Sequence, residues 1–126
     1  MMKKLLYSLF AAAFALSLGA EIRLAEGGKT DYTIVFKKSD DKRLAAAVKD
    51  LAKTLEKITG AKFPVKEAAD GPKIVIAQVP SSDTKPLAER EVRAKSVGKD
   101  LYIYGEGVQG NSDAIYGFLE SQLGCR

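Results

Sequence analysis

The sequence predicts an α+β domain, in which a two-layer arrangement sets two helices on one face of a mostly antiparallel sheet of about four to six strands. Three observations lead there. Two segments, residues 44–58 and 112–123, carry apolar residues at helical spacing. Short runs rich in β-branched and aromatic residues lie before the first of these and between the two. Gly-containing turns separate neighbouring runs, as hairpins require.

The chain of 126 residues opens with an export signal. Met1, Met2, Lys3 and Lys4 form a basic start, and residues 5–18 are apolar apart from Tyr7, Ser8 and Ser17. Small Gly19 and Ala20 follow, and then Glu21 begins an ordinary charged sequence. This is the order of n-region, h-region and cleavage site. Cleavage after Gly19 sets Ser17 and Gly19 at the two positions that need small side chains; cleavage after Ala20 would set Leu18 at one of them. The apolar run is shorter than the ~20 residues of a spanning helix, and no later stretch is long and apolar enough to cross a bilayer. No Cys follows the cleavage region to take a lipid. The division is a signal over residues 1–20 and one domain over residues 21–126, exported to the periplasm or beyond.

Composition narrows the function. Removing Lys3 and Lys4 takes two units from the formal charge of +4. The remaining Lys and Arg are scattered among Asp and Glu, which excludes the clustered basic face of a nucleic-acid partner. The absence of His excludes a Ser-His-Asp or Cys-His catalytic set and a His-ligated zinc site. A single Cys, Cys125, leaves no disulfide within the chain, and is read as a small buried apolar side chain near a helix end.

In the domain, residues 22–25 read as a strand and Gly27-Gly28 as a tight turn. Tyr32, Thr33, Ile34, Val35 and Phe36 then form the second strand of that hairpin. Ser39, Asp40 and Asp41 are capping types for the first helix. Leu44, Val48, Leu51, Leu55 and Ile58 form its apolar stripe, and Gly60 suits its left-handed end. Phe63, Pro64 and Val65 are extended. Residues 70–72 form a turn, and residues 74–77 a strand apolar on both faces. Residues 80–86 are a loop. Residues 91–97 and 101–104 pair as a hairpin about residues 98–100. The last helix spans roughly residues 112–123, with Ile115, Phe118 and Leu119 on its apolar side and Gly124 after it. Two helices cover one sheet face, so the apolar residues on the other face predict an uncovered surface and hence an interface.

Few residues nominate chemistry. Residues 105–110 spell G-x-G-x-x-G between a strand and a helix, but no further strand with an acidic residue follows, so a dinucleotide site is not predicted. The motif is read as a turn in which Asn111 or Ser112 caps the helix. No spacing of carboxylates nominates a facing pair. Catalytic, metal and cofactor residues are therefore all assigned as none. Tyr102 and Tyr104 project from one face of a strand and are the candidate interface or sugar-stacking residues, with glycan as a candidate partner.

Two segments carry a resemblance. Residues 55–65 contain Ile58-Thr59-Gly60-Ala61 and Pro64-Val65, and the chain closes with Ala114-Ile115-Tyr116-Gly117-Phe118-Leu119-Glu120 and Leu123-Gly124-Cys125-Arg126. In this order, with the apolar strand and Ile103-Tyr104-Gly105 between them, they resemble the small α+β domain that precedes the catalytic barrel in α-glucuronidases and β-N-acetylhexosaminidases. Gln109 stands where that family usually has a basic residue. The resemblance implies a fold like the second domain of β-hexosaminidase and an accessory role in an exported glycoside hydrolase of polysaccharide breakdown. It further implies a catalytic barrel downstream of Arg126, so that this chain is a fragment, inactive alone. A free-standing secreted module for carbohydrate or protein binding is the alternative.

Overall fold

The computed structural model describes residues 14–17, 21–37, 41–88 and 91–121. β1 (Phe14–Ser17) and β2 (Glu21–Ala25) pair antiparallel. A five-stranded sheet and two helices follow: β3 (Thr33–Val35), α1 (Lys42–Thr59), β4 (Val65–Lys66), β5 (Lys73–Ile76), β6 (Val92–Val97), β7 (Asp100–Gly105) and α2 (Gly107–Ser121). The class is α+β, with both helices on one sheet face. Leu44, Ala47, Val48, Leu51 and Leu55 of α1 share one core with Ala114, Ile115, Phe118 and Leu119 of α2. Ile34, Ile74, Ile76, Leu101 and Ile103 of the sheet complete it.

The sheet itself departs from expectation. Its strand order is β4-β3-β5-β7-β6. The β3–β4, β3–β5 and β5–β7 pairs are all parallel, and only β6–β7 is antiparallel. The sheet is therefore mostly parallel, not mostly antiparallel. The cause is the connections. α1 carries the chain back to the end of the sheet at which β3 starts, and segment 67–72 does the same between β4 and β5, so that β3, β4 and β5 all run one way. β6 starts at the end where β5 finishes and so runs the other way, and the two-residue turn Gly98-Lys99, with Gly98 at φ 62°, reverses the chain again to set β7 parallel to β5.

The first hairpin is also repartnered. The turn forms as expected, with Glu26 and Lys29 bridged and Gly27 and Gly28 at φ 60° and 74°. Beyond it, however, the Thr30 hydroxyl donates to the Leu24 carbonyl and accepts from Tyr32 N–H. The chain turns away there, and β3 joins the large sheet, not β2. The partner of β2 is β1, which lies within the segment assigned to the export signal.

α1 follows its local code. The Asp41 carboxylate accepts from Arg43 N and Leu44 N at 2.8 and 3.1 Å, which satisfies two of the free N–H groups at the helix start. Gly60 ends the helix at φ 75°, its N–H donating to the Glu56 carbonyl. The Thr59 hydroxyl donates to the Leu55 carbonyl at 2.6 Å and accepts from Ala61 N–H at 3.1 Å. The Thr-Gly-Ala part of the family-like segment thus builds a helix end and leads the buried Ala61 and Phe63 into the core.

α2 begins five residues earlier than its apolar pattern, because the glycine-rich stretch forms its first turn. Gly105 and Gly110 lie backbone to backbone: a Cβ on Gly105 would stand 2.3 Å from the Gly110 carbonyl oxygen. The first and last glycines of the G-x-G-x-x-G stretch thus serve close packing of β7 against α2, whereas Gly107 takes a left-handed φ of 68°. Asn111 does not cap the helix; its Oδ1 accepts from Gly105 N–H at 2.9 Å. Ser112 does not cap it either, being buried with no hydrogen-bond partner for its Oγ. Gln109 ties the helices, accepting from Arg43 Nη1 at 3.1 Å and donating to Asp113 at 2.9 Å.

The predicted open face is not open. Val35, Val75 and Tyr104 point away from the helices, yet they are only 6%, 3% and 0% exposed. Segment 77–88 returns over this face near Tyr104, where its Asp83 accepts from the tyrosine hydroxyl. No helix among the described residues is long and apolar enough to cross a membrane. Cys125, Gly124 and the expected end of the last helix lie outside the described residues, as do Ser39 and Asp40.

Candidate functional site

β7 carries Tyr102 and Tyr104 to the sheet face opposite the helices. Tyr102 sits in register between Val75 of β5 and Lys95 of β6, and Tyr104 opposite Arg93 of β6. The two rings share a face as the strand period requires, but their environments differ. Tyr102 is half-buried, whereas Tyr104 is fully buried. Tyr104 has no ring face for a sugar to stack on, so a two-ring platform is absent from this structure.

What Tyr104 contributes is one corner of a polar cluster centred on Arg93. The guanidinium donates five hydrogen bonds. Nε and Nη2 reach the Glu91 carboxylate at 2.9 and 3.0 Å. Nη1 reaches Asp83 Oδ2 at 2.8 Å and the Lys85 carbonyl at 2.9 Å, and Nη2 the Pro86 carbonyl at 3.1 Å. These use the whole donor set of an arginine. Asp83 accepts in addition from Tyr104 and from Lys85 N–H, and Lys95 Nζ stands 4.0 Å from its other oxygen. Glu91 accepts also from Ala88 N–H at 2.8 Å.

The electrostatics follow from the contacts. The Tyr104 hydroxyl and then the Arg93 guanidinium hold the Asp83 carboxyl down to about 2. Arg93 lowers Glu91 in the same way. Burial, and then the Asp83 carboxylate, push the Tyr104 phenol up to about 12. A general base works best with a pKa near the operating pH and a free lone pair aimed at substrate. Asp83 has neither. The cluster is a clasp that fastens segment 77–88 to β6 and β7.

A second concave region lies where the β2–β3 and β6–β7 turns meet, a cleft of about 570 Å³ that Tyr32, Pro72 and Lys99 help to line. Two of its polar side chains are engaged within the fold: Tyr32 donates its hydroxyl to the Lys99 carbonyl, and Thr30 donates to the Leu24 carbonyl. Among the described residues no group of three or more His, Cys, Asp or Glu side chains could hold a metal ion.

Comparison with known proteins finds no match: no family model, no curated protein and no solved structure is similar to this chain.

Sequence reading passed over Arg93 and Asp83. The only trace of the clasp was Glu91 two residues before Arg93 in an alternating strand. Asp83 lies ten residues upstream of Arg93 in a loop with no periodicity to mark it, so the pairing becomes visible only once the loop is folded back.

Proposed function

We propose that this chain is a non-catalytic accessory domain of an exported glycoside hydrolase acting in polysaccharide breakdown, one that packs beside a catalytic barrel. The observation that supports the reading is how the domain uses its polar groups. Its most strongly perturbed carboxylate, Asp83, is bound to Arg93 and Tyr104 and holds a loop in place. The segments that carry the family resemblance serve packing in the same way: Thr59 and Gly60 build a helix end, and Ile115 and Phe118 fill the core. A glycosidase needs two carboxyl groups facing one cleft, one to protonate the leaving oxygen and one to act on the other side of the sugar. In this reading that pair belongs to the barrel. Export through the segment 1–20 suits such work, and removal of that segment takes β1 from β2 while leaving the five-stranded sheet complete.

Reading the coding sequence past the Arg126 codon tests the proposal. An in-frame continuation that encodes a barrel is expected. A stop codon with no barrel-encoding frame beside it would overturn the reading, as would turnover of chromogenic glucuronides or N-acetylhexosaminides by the purified chain.

A further inference from the structure

A groove of about 460 Å³ runs along the outer side of the helical layer, between α1 and α2. Tyr116 stands in it. Of the aromatic side chains described, Tyr116 alone is exposed, at 45%. Its hydroxyl donates to Asp50 Oδ2 at 2.6 Å, from one helix to the other. The ring is held at one end by the helix backbone and at the other by a carboxylate, so little side-chain entropy remains to be lost when a ligand covers it. Leu119, nearly buried in the next turn of α2, gives the groove an apolar margin.

Around the ring stand polar groups that the protein itself leaves unused. Lys53 and Lys57 are four apart on α1 and share one side of that helix. Thr54 lies between them in sequence, and Glu120 faces the groove from α2. Among the described residues, these four side chains make no hydrogen bond or ion pair. The other exposed large apolar side chains, Val65, Val79 and Val92, are not among the residues that line the groove. A protein-docking face is built round a contiguous apolar centre with a polar rim. Here the apolar centre is one ring and its margin, and the rim is most of the surface.

That chemistry fits a small hydroxylated ring with an apolar C–H face and a polar edge. The unengaged charges narrow it further. Two ammonium groups attract an anion, while Glu120 and the nearby Asp50 disfavour a doubly charged phosphate. We propose that the α1–α2 groove is a subsite for one pyranose unit bearing a single negative charge. Its C–H face lies on the Tyr116 ring, its charge meets Lys53 and Lys57, and its hydroxyls reach Thr54 and Glu120. A carboxylate or a sulfate ester supplies the same charge. The subsite stands on the groove alone, so failure to find a barrel past Arg126 leaves it intact, and failure to bind leaves the accessory-domain reading intact.

Calorimetric titration of the purified chain, with amide chemical shifts followed in parallel, tests it. The probes are trigalacturonate for the carboxylate and an oligomer of sulfated galactan for the sulfate. Cellotriose serves as the neutral control, a hexaglutamate peptide as the acidic protein-like control, and inorganic phosphate as the bare anion. Saturable binding of at least one charged oligosaccharide is expected, with Kd on the order of 0.1–1 mM for so open a site. Shifts should concentrate at Asp50, Lys53, Lys57 and Tyr116. Tyr116→Ala should weaken binding at least tenfold, and Lys53→Gln with Lys57→Gln should do the same while the far-ultraviolet dichroism stays that of the parent. Tyr116→Phe, which keeps the ring and loses its anchor, should weaken binding less. No saturable binding of either charged oligosaccharide would overturn the proposal, as would binding indifferent to Tyr116→Ala. Cellotriose binding as well as trigalacturonate would refute the charged unit. Equal binding of the glutamate peptide would reassign the groove to an acidic protein segment, and equal binding of phosphate to a bare anion.

Discussion

The Arg93 cluster and the Tyr116 groove are both built from tyrosine, carboxylate and basic residues, yet they are opposite in organisation. Around Arg93 each polar group described has a partner inside the protein: five donor contacts, two carboxylates and two loop carbonyls close on one another. Around Tyr116 one contact, to Asp50, fixes the ring, and the neighbouring lysines, threonine and glutamate have no partner among the described residues. The same residue types serve stability in one place and are left for a ligand in the other. Perturbed titration points to the first region, whereas unused hydrogen-bonding capacity points to the second. In this protein the second is the better guide to binding, because a group already saturated has nothing to offer a ligand.

The sharpest way to break the contrast is Arg93→Met. It leaves Asp83, whose side chain is only 5% exposed, without its cation, and frees two loop carbonyls. A fall in melting temperature on the order of 10 °C is expected, together with faster proteinase K cleavage within segment 77–88. An unchanged melting temperature would show that segment 77–88 is held by something other than the clasp.

Acid should act on the same region. Asp83 and Glu91 have folded-state pKa values below their ordinary ones, so each adds stability above the unfolded pKa, and that stability is lost as pH falls through the folded value. Thermal melts should therefore be flat near neutrality and drop between about pH 4 and 2. In Arg93→Met the acid drop should shrink. Tyr104 works at the other end of the scale. Its raised pKa means that stability is present below the unfolded value and declines as pH rises from about 10 to 12. Ultraviolet titration of the phenolate checks this directly, with Tyr104 expected to ionise near 12.

Tyr104→Phe is a milder probe. It keeps the buried ring and removes the hydroxyl donated to Asp83, for an expected loss of about 1–2 kcal/mol in urea denaturation. The smallest effect belongs to the groove. Among the described residues Lys53 and Lys57 have no hydrogen-bond or ion-pair partner, so Lys53→Gln and Lys57→Gln should leave stability within about 0.5 kcal/mol of the parent. A large loss there would show that the groove is structural after all.

The local parts of the fold were open to reading from sequence. Asp41, the stripe from Leu44 to Leu55, and Gly60 lie within one helix length, and each acts on backbone a few residues away. The Gly98-Lys99 hairpin was legible for the same reason. The start of α2 was not, because four glycine-rich residues carry no apolar period, and the contact between Gly105 and Gly110 that holds them is a matter of backbone approach. The candidate site fared worse. Tyr102 and Tyr104 looked equivalent at a spacing of two, but segment 77–88 folds back onto one of them. Tyr116 carries no sequence mark of its own, sitting between the buried Ile115 and the buried Phe118 in a segment that stands out only for its resemblance.

Sequence alone settled the two ends of α1, the tight turns and which residues of each segment are apolar, since these depend on interactions within a turn or two of chain. Pairing direction, the identity of the exposed tyrosine and the ligands of Arg93 came only from the folded molecule. Each depends on which distant segments meet: β3 finds β5 across α1, and Asp83 finds Arg93 across a loop. Such meetings are selected by the burial and hydrogen bonding of the whole core, to which no single stretch of sequence holds the key.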